Sequence, residues 1–131
     1  RKIIMILTLR KPKKYEEYII NSLDELIQKL IPFSQIEEAK IRLAIDDTWD
    51  ADSLSCQIDN GKYMLLYYTT DLDNTREKYP SSYNRRLATH NKIEINGDLY
   101  DENTICYDFG FVLMLFKEFF QQKDIPLYIL D

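Results

Sequence analysis

A two-residue turn between two apolar segments constrains the fold of this chain more than any other feature of its sequence. Asn60-Gly61 supplies the two positive-φ positions of a type I′ turn. Residues 54–58 alternate between apolar and polar side chains, and residues 62–69 are apolar on both faces, as expected of a central strand. Because a two-residue turn fixes the register of its hairpin, the pattern predicts that Asp52 lies opposite Thr69.

Other apolar or alternating runs extend this hairpin into a larger sheet. A second Asn-Gly dipeptide, Asn96-Gly97, predicts another hairpin, and Pro126 restricts the last predicted strand to a sheet edge. The further predicted strands are residues 3–9, 39–45, 92–95, 98–100 and 125–130. Residues 71–90 show no periodicity and are predicted to form a long loop, a type of segment that is often functional.

Two segments have the spacing of apolar residues that is typical of amphipathic helices. The capping box Ser22-x-x-Glu25 marks the start of the first helix, which is expected to end before Pro32. The second helix is predicted over residues 104–122, with Asn103 or Thr104 as its cap. The elements together predict the α+β class: an antiparallel sheet with two major helices packed on one face.

The length and charge of the chain limit its possible functions. At 131 residues, it is predicted to form a single domain over residues 1–131. Residues 1–14 contain six basic and no acidic residues, so residues 15–131 carry a net charge of −11. A body of that charge disfavours direct binding to nucleic acid and favours a basic protein partner. No apolar run approaches the roughly 20 residues of a membrane-spanning helix, so no membrane association is expected.

The chain offers few groups for catalysis. Its single histidine, His90, has no partner at a motif spacing, and Cys56 and Cys106 fall at positions predicted to face the core. No phosphate-binding loop or zinc-binding spacing occurs, so neither a cofactor nor a metal is expected. Two cysteines fifty positions apart suggest no disulfide framework and favour the cytoplasm. We therefore expect that the protein is not an enzyme.

Aspartates form the one notable cluster of polar residues. Asp46, Asp47, Asp50 and Asp52 crowd one connection, and the predicted register brings Asp71, Asp73 and Glu77 to the same end of the sheet. The cluster is compatible with a divalent metal site, with a solvated turn, or with a docking surface for a basic partner. Trp49 lies within it, either as an exposed interface residue or as a buried anchor.

If the cluster is a docking surface, its contacts follow from the same placement. The predicted contact residues are Asp46, Asp47, Trp49, Asp50, Asp52, Asp71 and Asp73, with Tyr67, Tyr68 and Tyr83 as aromatic anchors. The basic segment from Arg10 to Lys14 is compatible with binding to acidic lipid or nucleic acid, but so short a segment is expected to solvate a turn.

In their order along the chain, these elements resemble a known family. The motifs that carry the resemblance are Leu7-x-Leu9, Ile20-Asn21-Ser22-x-x-x-Leu26-x-x-x-Leu30, the hairpins at Gly61 and Gly97, and Ile105-Cys106-x-Asp108-x-x-x-Val112-x-x-x-Phe116-x-x-Phe119-Phe120. The pattern is similar to the first-numbered family of immunity proteins in bacterial polymorphic toxin and contact-dependent growth inhibition systems.

This resemblance implies a cytoplasmic, non-catalytic inhibitor that binds and neutralises a cognate toxin domain. Toxins associated with the family act on nucleic acid, as nucleases or deaminases, and often have basic clefts that an acidic surface could occlude. Two alternatives stay open from the residues themselves. One is a small Mg²⁺-dependent enzyme that uses the clustered aspartates, and the other is a regulatory or scaffold subunit of an unrelated complex.

Overall fold

Antiparallel strand pairing organises most of the chain. The computed structural model describes residues 4–46, 48, 51–69, 79–82 and 91–125, with residues 79–82 described by their backbone alone. The strands are β1 Met5–Lys11, β2 Lys14–Ile20, β3 Glu38–Ala44, β4 Ser53–Asp59, β5 Lys62–Thr69, β6 Tyr79–Ser82, β7 Lys92–Ile95, β8 Asp98–Asp101 and β9 Ile105–Cys106. The helices are α1 Leu23–Leu30 and α2 Phe109–Gln122, with 3₁₀ segments at Ile31–Gln35 and Glu102–Thr104.

The main sheet has the strand order β2-β1-β3-β4-β5-β6, with β9 also paired to β5, and all of its pairs are antiparallel. Strands β7 and β8 form a separate two-stranded hairpin. The predicted α+β class, with an antiparallel sheet and two helices, is confirmed. The central position predicted for β5 is also confirmed, because it has strand neighbours on both sides.

The two Asn-Gly turns have the predicted conformation. Asn60 and Gly61 have φ angles of 49° and 82°, and Asn96 and Gly97 have φ angles of 51° and 95°. The register of the first hairpin is also as predicted, with Cys56 opposite Leu65. Each turn needs positive φ at its glycine, where an L side chain would be strained.

The sheet has two different faces. Its helix-backed face, which includes Leu7, Ile41, Cys56 and Leu65, packs against apolar residues of both helices, and these four residues are fully buried. Full burial of one leucine or isoleucine side chain contributes about 1.5–3 kcal/mol, so burial of this layer stabilises the fold. Its open face, whose middle row is Thr8, Arg42, Ser55 and Leu66, is partly covered by the β7–β8 hairpin.

The first helix begins at the predicted capping box and ends at Leu30, before Pro32, as predicted. Ser22 Oγ accepts a hydrogen bond from the Glu25 amide at 3.2 Å, and Glu25 Oε1 accepts one from the Asn21 amide at 2.9 Å, which completes the capping box. A 3₁₀ segment follows directly and includes Pro32 in its first turn, where proline lacks only an amide that would be unpaired anyway.

The second helix starts later than predicted, at Phe109. Its cap is Asp108, whose Oδ1 accepts a hydrogen bond from the Gly110 amide at 2.9 Å, and not Asn103 or Thr104. The preceding Ile105–Cys106 form strand β9 instead, because their backbone pairs with that of β5. Tertiary pairing outweighs helical periodicity in this segment.

Two further strands lie in segments where none was predicted. Strand β2, at the edge of the sheet, is largely exposed, so its sequence lacks the apolar alternation of a half-buried strand. Strand β6 falls within residues 71–90, which were predicted to form a loop, and pairs with β5. Of the strand predicted at 125–130, the residues after 125 lie outside those that the structure describes.

Candidate functional site

The acidic end of the sheet, which we define by Asp46 and Asp52, lies where β3 ends and β4 begins. Asp52 Oδ2 accepts a hydrogen bond from Thr69 Oγ1 at 3.2 Å, and the Asp52 carbonyl accepts one from the Ile45 amide at 3.0 Å. These contacts confirm that Asp52 lies beside Thr69, as the hairpin register predicted. Asp46 follows Ile45 directly, so the two half-buried carboxylates share this end of the sheet.

The remaining acidic residues of the predicted contact set fall outside the residues that the structure describes, as do two of its aromatic residues. They are Asp47, Trp49, Asp50, Asp71, Asp73 and Tyr83. The histidine considered as a catalytic group, His90, also falls outside. Their membership of the contact set stays a prediction.

The two tyrosines predicted as anchors on β5 have different environments. Tyr67 is only 1% exposed; its ring meets that of Phe119 edge-on at 5.9 Å, and its hydroxyl donates to Asp124 Oδ1 at 2.6 Å. Burial and this hydrogen bond both raise the pKa of the Tyr67 hydroxyl. Tyr67 therefore belongs to the core, and its prediction as an anchor for a partner is wrong. Tyr68 lies on the open face and is half-buried.

Both thiols are poorly suited to nucleophilic chemistry. Cys56 and Cys106 are 0% and 1% exposed, in agreement with their predicted role in core packing. Burial raises the pKa of the Cys56 thiol, and the nearby Cys106 raises it further. Burial also raises the pKa of Cys106. Since the thiolate is the reactive form, both groups are inert at neutral pH.

The described part of the chain carries neither a cluster of metal ligands nor a membrane-spanning helix. Among the described residues, no three or more His, Cys, Asp or Glu side chains are grouped so that they could hold a metal ion. Neither helix that the structure describes is long and apolar enough to cross a membrane.

A second charged region lies at the opposite end of the same strands. Arg10, at the end of β1, is directly opposite Lys40, at the start of β3. Both line an open groove of about 220 Å³, which we call the basic groove. Its lining residues are Arg10, Lys11, Pro12, Glu38, Ala39, Lys40 and Asn96.

Sequence reasoning missed this groove because its residues come from distant segments. The alternation over residues 39–45 correctly placed Lys40 and Arg42 on the polar side of a strand. Arg10, however, was assigned to a solvated turn, and the pairing of β1 with β3 does not follow from any turn motif. The six basic residues at positions 1–14 were the available signal.

These features define the class: a small α+β protein with a helix-backed antiparallel sheet that is acidic at one end and basic at the other. The chain belongs to a family of unknown function, DUF6911, which it matches over residues 7–129. No curated protein matches it.

A solved structure with a similar fold is the crystal structure of a hypothetical protein from Neisseria gonorrhoeae. The TM-score is 0.74 at 14% sequence identity, and the match covers 92% of this chain and 88% of the other. This similarity extends to the fold alone.

Proposed function

We propose that this protein is a cytoplasmic immunity protein, which binds a cognate toxin domain that acts on nucleic acid and blocks it without catalysing a reaction. The observation that carries the proposal is the fixed acidic end of the sheet, where Asp52 is held against Thr69 and Asp46 lies nearby. The order of elements that resembles an immunity-protein family supports the same function.

The electrostatic argument starts from the substrate of such a toxin. A domain that binds nucleic acid presents lysine and arginine to phosphates. A carboxylate surface competes for the same cations, and opposite charges speed the encounter of the two proteins. At low ionic strength, where screening is weak, the net charge of −5 adds to this attraction.

The hydrogen bond that holds Asp52 favours tight binding. The hydrogen bond from Thr69 restricts the Asp52 side chain before any partner arrives, so less conformational entropy is lost on association. Tyr68, which lies on the adjacent strand, is the described aromatic residue best placed to extend this surface. A partner that covers this end would leave the groove at the other end of the strands open.

The test is co-expression with the product of the adjacent reading frame, scored for growth. We expect the wild-type chain to rescue growth, and the double variant Asp46→Lys/Asp52→Lys to lose that rescue. The double variant Glu94→Lys/Asp98→Lys makes the same charge change at two exposed residues of the β7–β8 hairpin; it is the matched control and should rescue normally.

Measured binding to the purified product of the adjacent reading frame distinguishes loss of the binding surface from unfolding of the variant. The variant Asp46→Asn/Asp52→Asn removes both charges but keeps an oxygen that can accept the hydrogen bond from Thr69. We expect slower association and a weaker dependence on salt for this variant. If the wild-type protein neither binds its neighbour nor protects against it, the proposed immunity function is wrong. If the double variants of Asp46 and Asp52 bind as the wild type does, the acidic end is not the binding surface.

A further inference from the structure

The open face of the sheet carries three cations near the basic groove: Arg10, Lys40 and Arg42. Arg10 and Lys40 are directly opposite on neighbouring strands, which places their Cβ atoms about 5 Å apart. Arg42 lies two residues further along β3 on the same face. In the part of the chain that the structure describes, none of these three cations has a carboxylate within 4.0 Å. Like charges that face each other on neighbouring strands repel and destabilise the pair. An anion bound between Arg10 and Lys40 would relieve this repulsion.

The groove beside these cations has fixed walls. The tip of the β7–β8 hairpin forms one wall, where the Asn96 amide donates to Asp59 Oδ2 at 2.9 Å. Lys62 Nζ donates to the Glu94 carbonyl at 3.0 Å and holds the same hairpin. On β1, the Arg10 guanidinium lies 5.5 Å from the centre of the Tyr15 ring, which restricts its position. The site is therefore largely formed before a ligand arrives.

We propose that the basic groove binds a small anion of the phosphate class, as free phosphate or as a phosphate monoester. Two cations on directly opposite residues can converge on one tetrahedral anion, and the planar guanidinium of Arg10 can donate two parallel hydrogen bonds to its oxygens. Glu38 also lines the groove, and its carboxylate can accept a hydrogen bond from a protonated phosphate oxygen or from a hydroxyl group of a monoester.

The surroundings of the groove select a small anion over a polyanion. Glu17 lies on the same open face, where its Oε2 accepts a hydrogen bond from the Tyr15 hydroxyl at 3.1 Å. With Glu38 on the other side, acidic residues flank the row of cations, and a nucleic-acid backbone would meet both of them. The volume of about 220 Å³ also suits a ligand of a few heavy atoms.

The experiment is an NMR titration of the full chain at constant ionic strength, with inorganic phosphate, O-phosphoserine and acetate in separate arms. We expect saturable shifts of the Lys11, Lys40 and Asn96 amides with phosphate, with O-phosphoserine, or with both, whereas the Asp52 amide should not move. Saturation by O-phosphoserine alone would identify a monoester as the ligand. Acetate, a carboxylate with one negative charge, should give only weak, linear shifts.

Variants test whether the paired cations are responsible. Lys40→Gln should weaken phosphate binding about two- to fivefold, the scale expected for one exposed ion pair. The double variant Arg10→Gln/Lys40→Gln should lose saturable binding. Lys117→Gln, on the exposed side of α2, is the control matched in charge to Lys40→Gln and should bind as the wild type does. Undiminished binding by the double variant, linear shifts in every arm, or equal binding of acetate would overturn the proposal. None of these results depends on the toxin-binding function.

Discussion

The acidic end and the basic groove occupy opposite ends of the same strands, yet they are assembled in different ways. The acidic end depends on the β4–β5 hairpin, whose two strands are joined by two residues. The basic groove depends on the pairing of β1 with β3, which are separated in sequence by β2 and α1. Strand β3 contributes to both, with Lys40 near its start and Asp46 just beyond its end.

The comparison shows how little the net charge says about a surface. An overall charge of −5 does not say where the charges lie, and the pairing of strands separates them into two regions about one strand length apart. At physiological ionic strength the Debye length is about 8 Å, which is shorter than a seven-residue strand of about 23 Å. Each end can therefore attract its own class of partner.

The first prediction concerns the core that both ends share. Cys56 lies in the middle of β4, and burial raises the pKa of its thiol above the ordinary value of 9.0. The unfolded chain therefore loses this proton at a lower pH than the folded chain, and stability falls as the pH rises above about 9, by at most about 1.4 kcal/mol per pH unit. In urea denaturation from pH 7 to pH 10.5 with a reductant present, the free energy of unfolding of Cys56→Ala should fall less steeply at alkaline pH than that of the wild type.

The comparison uses only the change in the free energy of unfolding with pH, because Cys56→Ala also removes packing contacts and lowers stability at every pH. Wild-type and variant curves that stay parallel over this range would show that the thiol ionises equally well in both states, and that the shared core is more hydrated than its burial indicates.

The second prediction concerns a substitution that perturbs the acidic end and leaves the basic groove unchanged. Thr69→Val removes the hydroxyl that donates to Asp52 and should lower the free energy of unfolding by about 0.5–1.5 kcal/mol. Thr8→Val is the control, since the Thr8 hydroxyl makes no hydrogen bond within the described residues and the residue is also half-buried in the sheet. Equal losses for the two variants in urea denaturation would contradict a specific role of the Asp52 contact.

The third prediction has the smallest expected effect on stability and concerns the basic groove. Lys40→Gln relieves the repulsion from Arg10 and should stabilise the fold by about 0.2–0.5 kcal/mol at low salt, with no gain in 0.5 M sodium chloride. Lys117→Gln removes the same charge from α2 and should not stabilise the protein. A gain at Lys40 that persists at high salt would indicate a packing effect rather than relief of charge repulsion.

Local signals in the sequence were sufficient for a substantial part of the fold. The two Asn-Gly turns, the register between β4 and β5 and the capping box at Ser22 were all predicted correctly. Each depends on residues that are close in sequence and on the conformations that those residues favour. The proximity of Asp52 to Thr69 followed from the same reasoning, because one turn fixes every pair in its hairpin.

Other features depended on competition between distant segments. The helical spacing at Ile105 gave way to pairing with Met64, and the start of α2 moved to the cap at Asp108. Tyr67, which was predicted as an anchor for a partner, is buried because α2 packs over it and its hydroxyl finds an acceptor in Asp124.

The sequence alone thus determined the turns, the capped start of α1, the β4–β5 register and the acidic end, because each follows from steric and hydrogen-bonding preferences within a few residues. Only the tertiary structure decided which strands lie beside β1, and with that the meeting of Arg10 and Lys40. No local preference selects a partner more than twenty residues away. That selection depends on which arrangement of the whole sheet buries the apolar face against the helices.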